Sequence, residues 1–251
     1  MPPTKLLYLE NFSLLECESR IFDTLRENDR DVLILDQTVF YPQGGGQPYD
    51  TGIIESAHGK FEVEEVRFVD AVIKHIGKFE NGNLTKGETV KCSVDKDRRT
   101  LHSRIHSAGH LVDWAIEKLE IPWTPDPRGY HYPNGPYVTY NGGLEGIDKE
   151  KLKTDIERLC AEAIQRGQEV SVRFMTKDEM KTICRSIPDG LPEPARVILF
   201  NDPSMGSGQS FGVPCGGTHV ANISEIGHLT IRKIKQEGQN IRVGYETTKT
   251  T

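Results

Sequence analysis

The chain is 251 residues long, with 36% hydrophobic and 27% charged residues and a formal net charge of −6. That length can bury one large core or two modest ones, and the acidic balance argues against a protein that coats nucleic acid nonspecifically, while allowing a local basic face. No stretch approaches the roughly 20 apolar residues that a membrane span needs, and no signal-type apolar run follows Met1-Pro2-Pro3-Thr4-Lys5, so a soluble, cytoplasmic protein is expected.

Short strands broken by turn chemistry fill residues 1 to about 95: Lys5 to Leu9, Ser19 to Asp23, Val32 to Leu35, Gly52 to Glu55, Phe61 to Phe68, Ala71 to Ile76 and Glu88 to Val94. Asn28-Asp29, Asn81-Gly82-Asn83 and Lys86-Gly87 punctuate them. Strands this short and closely spaced predict a small barrel or curled sheet over residues 1–95. The character changes at Asp95. A long helix is predicted to about Leu119, with Leu101, Ile105, Ala108, Leu111, Val112, Ala115 and Leu119 on its apolar face. The Pro-rich run Pro122 to Pro136 reads as a loop. A second helix from about Lys149 to Arg166 is stopped by Gly167. Tyr137 to Tyr140, Glu169 to Phe174, Ala195 to Phe200, Gly227 to Lys233 and Asn240 to Tyr245 read as strands of one sheet packed by both helices, with Pro203 to Pro214 as a second loop. The fold class is thus α+β, with a β-barrel domain over 1–95 and an α+β domain over 96–251.

Two distant segments carry metal-ligand chemistry. His106-Ser107-Ala108-Gly109-His110 and Cys215-Gly216-Gly217-Thr218-His219 each place two ligands four residues apart. On a helix, that spacing aims two imidazoles at one centre. A histidine pair on a helix is equally a surface pair or a satisfied core pair, and His102 makes a second pair with His106. Leu111 and Val112 directly follow His110 and favour His106 with His110. Gly216 and Gly217 allow a backbone fold that returns Cys215 and His219 to one ion; the bland alternative is a flexible loop with a buried thiol. Imidazole and thiolate are the ligands that Zn²⁺ prefers. Five scattered cysteines, Cys17, Cys92, Cys160, Cys184 and Cys215, suit a reducing compartment and no disulfide framework.

The run Thr38-Val39-Phe40-Tyr41-Pro42-Gln43-Gly44-Gly45-Gly46-Gln47-Pro48 lacks the Gly-Lys-Ser/Thr of a P-loop. Either a ligand approaches its bare backbone, with Thr38 and Gln47 offering hydrogen bonds, or it is a tight barrel turn. HSAGH also lacks the glutamate of HExxH metalloproteases, and no GxSxG elbow is present. Two basic groups, Lys96, Arg98, Arg99 and Arg104 on the first helix and Arg232, Lys233, Lys235 and Arg242 in the last strands, are either RNA guides or ordinary solvated faces.

Taken together, Thr38 to Pro48, HSAGH and Cys215 to Val220 resemble the TxFYPxGGGQ, HxxxH and CGGTHV signatures of the editing domain of alanyl-tRNA synthetase and its free-standing relatives, the AlaX proteins. The similarity runs from Leu6-Leu7-Tyr8-Leu9 through Gly135-Pro136-Tyr137-Val138 to Glu225-Ile226-Gly227. The resemblance implies a glycine-rich barrel similar to those of translation factors, followed by an α+β zinc domain. It implies a zinc-dependent deacylase acting in trans on mischarged tRNA(Ala), chiefly seryl and sometimes glycyl, with aminoacyl-tRNA rather than DNA or membrane as partner. Carried over by position, His106, His110, Cys215 and His219 would hold Zn²⁺, Thr38 would contact the serine hydroxyl, Gln47 would position the substrate, and Gly44, Gly45 and Gly46 would line its site. Many synthetase editing domains have Thr-Ala-Thr where this chain has Ser107-Ala108-Gly109. Two other readings are a zinc-folded, inactive tRNA-binding or interaction module, and a metal-dependent hydrolase of another acyl substrate.

Overall fold

A computed structural model describes residues 2–200 and 211–249. The chain forms two compact units, Met1–Leu101 and His102–Thr251, and the boundary falls inside the long helix.

In the first unit, β1 (Lys5–Leu6) and a helical turn α1 (Leu7–Glu10) precede β2 (Glu16–Glu27), β3 (Arg30–Leu35), β4 (Gln37–Thr38), β5 (Gly52–Glu55), β6 (Gly59–Val69), β7 (Val72–Gly82) and β8 (Thr89–Val94). Six of these strands close into a barrel in the order β2-β3-β7-β6-β5-β8. The expected strand from Lys5 to Leu9 stops at Leu6, because the α1 turn carries Tyr8 into the interior against Tyr41. β2 is far longer than its apolar core suggested. Its first half pairs with β8 and its second half with β3, and a bulge after Ile21 bends it around the barrel corner. Asn28 and Asp29 both take the left-handed conformation, as a two-residue hairpin turn requires. Inside lie Ile21, Leu33, Leu35, Phe40, Phe61, Val63, Val66 and Ile73. The bulge between Val63 and Glu65 turns Val66 inward in place of Glu65, and Glu65 pairs outside with Arg30 and Arg67.

One buried ion pair ties this unit together. Arg99 Nε donates to both Asp50 oxygens at 3.1 and 3.0 Å, while the rest of its guanidinium bonds the carbonyls of Phe12 at 3.1 Å and Val39 at 2.6 Å. Asp50 Oδ2 also accepts the Tyr41 N–H at 2.7 Å. The side chains are 3% and 0% exposed, so the pair is fully desolvated and satisfied only as a set. Arg99 is therefore structural and does not belong to a nucleic-acid face.

In the second unit, α2 (Lys96–Lys118) continues from the boundary into β9 (Thr124–Tyr130), β10 (Tyr137–Asn141), α3 (Lys149–Arg166), β11 (Val170–Met175), α4 (Lys177–Met180), β12 (Ala195–Phe200) and β13 (Phe211–Pro214). A 3-10 turn at Ile223–Ile226, β14 (His228–Glu237) and β15 (Asn240–Thr248) follow. α3 has the predicted bounds, with Asp148 capping its start and Gly167 in the left-handed conformation at its end. The single expected sheet is instead two antiparallel ones, β14-β15-β10-β9 and β11-β12-β13. The Pro-rich run read as a loop contains β9, an edge strand, where prolines are tolerated because one side of the ladder is unpaired. The expected second loop supplies β13 from Phe211 onward; its residues 203–210 lie outside the described residues. On α2 the expected apolar set is buried except at Leu101, which is 37% exposed, and at Leu119, which is half-buried just past the helix end at Lys118. No helix among the described residues is long and apolar enough to cross a membrane.

Asp50→Ala should cost about 3–5 kcal/mol of unfolding free energy, since it leaves a buried guanidinium uncompensated. Urea denaturation measures it.

Candidate metal centre

The helix stretch His102 to Val112 is buried along its whole length, although it contains three histidines, two serines and an arginine. Each of these needs a partner. Ser103 shares a 2.8 Å hydrogen bond with Thr218, and Arg104 donates to the Glu225 carbonyl at 3.1 Å. Ser107 Oγ accepts the Val220 N–H at 3.1 Å and lies 3.2 Å from His219 Nδ1. These bonds lace the turn after β13 to the helix. They bring His106, His110, Cys215 and His219 together, with one ligand atom from each lying within 4.8 Å of all the others. His102 is as buried as His106, yet it does not join the group. Direction along the helix, rather than burial, separates the two possible pairs.

The glycines between Cys215 and His219 act differently from expectation. Neither Gly216 nor Gly217 is at positive φ, so no left-handed backbone produces the return. Arg196, on β12, shapes the turn: its guanidinium donates to the Cys215 and Gly217 carbonyls, and the Gly217 N–H points at Cys215 Sγ at 3.3 Å. β12 is buried on both faces. Its period-two alternation sends Val197 and Leu199 to a core with Met180 and Ala195, and Phe200 to the rings of His110 and His219.

The donor set fits a divalent cation. His110 makes no hydrogen bond of normal geometry through either buried ring nitrogen. Its Nδ1 lies 3.6 Å from Asp113, which leaves Nε2 for the cluster, and Asp113 in turn accepts the Tyr140 hydroxyl. A carboxylate behind a ligating imidazole is a common arrangement in zinc sites, where it fixes the ring and its tautomer. For His219 to ligate through Nε2, its Nδ1–H must donate to Ser107 Oγ. Without a metal, burial works against charge on His110, but Asp113 and Cys215 together raise it to about 9. Burial works against the Cys215 thiolate too, and the neighbouring His110 overcomes it and lowers that thiol. Burial, then the surrounding histidines and Arg196, hold His106 far below the ordinary imidazole range. Cys215 Sγ lies 3.5 Å from His106 Nε2, and two imidazoles held neutral, a third whose charge Asp113 and Cys215 favour, and a nearby guanidinium form a site where a cation can take the place of that charge.

His131, which carries no motif in the sequence, stacks on His106 at 4.4 Å between ring centroids. Tyr245 donates its hydroxyl to the Ile105 carbonyl at 2.9 Å, so its oxygen must accept from His131 Nδ1–H at 2.6 Å. Burial holds this imidazole neutral, down to about 3. The room for it comes from Gly109: a Cβ there would stand 2.7 Å from the His131 ring and 2.8 Å from the Tyr245 hydroxyl.

In the first unit, Gly44 and Gln47 pair in a two-residue turn, with Gly45 and Gly46 at φ 52 and 77. The tight-turn reading thus accounts for two glycines. Gly44 has no positive φ and no close neighbour that a Cβ would strike. Gln47 and Thr38 are fully buried. Thr38 Oγ1 accepts the Phe40 N–H at 3.0 Å and lies 2.8 Å from His75 Nε2. Because His75 Nδ1 donates to the Leu33 carbonyl at 3.1 Å and burial lowers this histidine to about 4, Nε2 is a bare acceptor. The Thr38 hydroxyl proton therefore goes to His75, and one acceptor lone pair is left.

Two measurements probe these networks. His75 is protonated in the unfolded chain below about 6.5 but in the folded one only near 4, so the unfolded state binds more protons between those values. Stability falls as pH drops through that window, by about 3 kcal/mol in total. His75→Gln should flatten this part of the pH–stability curve. Gly109→Ala should lower stability by about 1–3 kcal/mol through overpacking and weaken metal binding, with less than additive loss when combined with His131→Ala.

Residues 9–98 match the family model of class II (A) tRNA synthetases, and residues 208–243 match the threonyl and alanyl tRNA synthetase second additional domain. The chain is 32% identical over 250 residues to an alanine–tRNA ligase of Thermococcus kodakarensis, spanning 94% of this chain but 25% of the ligase. It is 26% identical to the alanyl-tRNA editing protein AlaX-L of Pyrococcus horikoshii, of which it spans 55%. With the alanyl-tRNA editing protein AlaX-M of Methanosarcina barkeri it shares 30% identity over 252 residues, 95% of this chain and 98% of the relative. A likeness of that extent, on a chain that gathers the histidines and cysteine of both signatures into one cluster, means that the protein belongs to the AlaX family of alanyl-tRNA editing proteins.

Proposed function

We propose that the protein is a zinc-dependent deacylase that removes serine, and to a lesser extent glycine, from mischarged tRNA(Ala), acting in trans. The observation that carries this reading is the convergence of three imidazoles and one thiol within 4.8 Å, in a chain that matches AlaX-M nearly end to end. Water adds to the carbonyl carbon of the ester, the bond to the terminal ribose oxygen breaks, and serine and the free 3′ end of the tRNA leave. Zn²⁺ held by His106, His110, Cys215 and His219 supplies Lewis acidity for that hydrolysis. Asp113, Ser107 and Arg196 fix the orientation of those donors. His219 is buried and held by Ser107, whereas Cys215 is only half-buried. The side of the cluster that a substrate meets is therefore that of Cys215.

In the first unit, Thr38 accepts the serine hydroxyl through its one spare lone pair, Gln47 positions the substrate, and Gly44, Gly45 and Gly46 offer backbone to it. Such a hydroxyl-seeking contact selects serine over alanine by a factor that a pocket built for alanine cannot reach. His75 makes this contact directional, because it takes the Thr38 proton and leaves only an acceptor. Serine can donate a hydrogen bond there; a methyl group cannot.

The test is purified protein incubated with Ser-tRNA(Ala), Gly-tRNA(Ala) and Ala-tRNA(Ala), beside Cys215→Ala and a chelated sample. Release of serine at least tenfold faster than alanine is expected, with loss of at least about 10²-fold in the variant and on chelation. Zinc and tRNA binding without release would identify an inactive module. Equal hydrolysis of all three would end the proofreading reading, and turnover of a small acyl ester with no gain from tRNA would point to another hydrolase.

A further inference from the structure

The sheet that packs its inner face on the histidine-bearing helix exposes a second, chemically distinct face. Along β15, Ile241, Val243 and Tyr245 are buried, while Arg242 is exposed on the other side. Register aligns Lys235, Arg242 and Thr139 in one cross-strand row, and Lys233, Gly244, Tyr137 and Tyr130 in the next. Gly244 leaves a dip of about 150 Å³, lined by Tyr137, Arg232, Lys233, Lys235, Arg242 and one acid, Glu237. Three carboxylates share this face, two of them in ion pairs: Glu237 pairs with Lys235 and Arg242 at 2.8 Å each, and Asp126 pairs with Arg128. Glu246, further along β15, takes the Thr230 hydroxyl. Arg232 bonds the carbonyls of Tyr245 and Pro136, both at 3.0 Å, and among the described residues no acid forms an ion pair with it. A chain of net charge −6 thus concentrates cations on one sheet face.

Beside these cations stands a column of flat rings. Tyr132 stacks on Tyr130 at 4.6 Å, Tyr130 on Tyr137 at 5.4 Å, and the Arg242 guanidinium lies over Tyr137 at 4.6 Å. Tyr130 and Tyr132 flank His131, the residue stacked on His106. Successive Cα atoms are about 3.8 Å apart, so the backbone that carries the ring column is the same backbone that carries His131 to the histidine cluster, and the column leads from there onto the basic face. Planar rings and guanidinium planes receive unstacked bases, and lysines beside them receive phosphates.

We propose that this face binds the single-stranded 3′ end of RNA, bases against the Tyr130–Tyr132–Tyr137 column and phosphates at Lys233, Lys235 and Arg242. The choice of tRNA as the RNA rests on the deacylase reading; the surface itself does not. The test is filter binding of uncharged tRNA(Ala) to full-length protein over a range of salt, for the wild type, for the double variant Lys233→Glu with Lys235→Glu, and for Tyr130→Ala. Zinc content and melting temperature report on folding. The double variant should weaken binding more than tenfold and reduce the slope of log affinity against log salt by roughly one for each phosphate no longer neutralised. Tyr130→Ala should weaken binding about fivefold or more with the slope unchanged. Variants that fold, keep zinc and bind with wild-type affinity and slope would overturn the proposal, as would wild-type protein that binds polyglutamate as tightly as tRNA, which would assign the face to an acidic protein. Serine release by the wild type, followed in parallel, separates the two readings. Release with unchanged KM in the variants removes the surface and leaves the deacylase; binding through this face without release does the reverse.

Discussion

A buried helix segment that is not apolar is the constraint around which the second unit is organised. From His102 to Val112 every residue is withdrawn from water, and a buried polar group without a partner costs as much as several good contacts give. The segment can fold only if other parts of the chain deliver partners to the correct turns of the helix. Thr218, Val220 and Glu225 do so from the turn and the 3-10 segment that follow β13, and Tyr245 does so from β15. The same contacts bring the candidate metal donors together, and their mutual approach makes a place for a cation.

Arg196 and Asp113 show how the surroundings tune that place. Arg196 is the more informative, because a guanidinium beside candidate ligands for a cation is electrostatically unfavourable and needs a structural reason to be there. It holds the Cys215 and Gly217 carbonyls, which sets the path of the turn without a positive φ at Gly216 or Gly217. Its charge also favours the thiolate form of Cys215 and disfavours a charged His106. Both effects leave donors in the protonation states that a zinc ion would require.

Legibility in the sequence followed the range of the physics involved. α3 could be read with its bounds because its cap, its apolar spacing and Gly167 are all local. The grouping of His106, His110, Cys215 and His219 could be read because the spacing within each half is local. What could not be read depended on tertiary pairing. β9 hides in a Pro-rich run because an edge strand needs bonds on one side only, and nothing local tells one five-strand sheet from two smaller ones. Leu101 matches the apolar repeat of α2 yet faces outward. His131 and Arg196 sit alone in sequence, without a motif. The one available signal for Arg196 was a charged residue inside the otherwise apolar run Ala195 to Phe200, since a charge that interrupts a buried strand must have a buried partner.

The same alternation that buries this sheet's inner face also places chemistry on its outer one. Tyr130 and His131 are adjacent in the chain, and one belongs to the ring column while the other packs on His106. Gly244 and Tyr245 repeat the arrangement: the glycine floors the dip between Tyr137 and Lys233, and the tyrosine fixes the His131 tautomer through its hydroxyl. A strand has a period of two, so neighbouring residues serve opposite faces without any insertion or loop. Changes at Gly109 or Gly244, where added side chains meet His131 or Arg232, therefore act on one face each. A shift of register by a single residue along β10 or β15 would exchange the two faces and lose both.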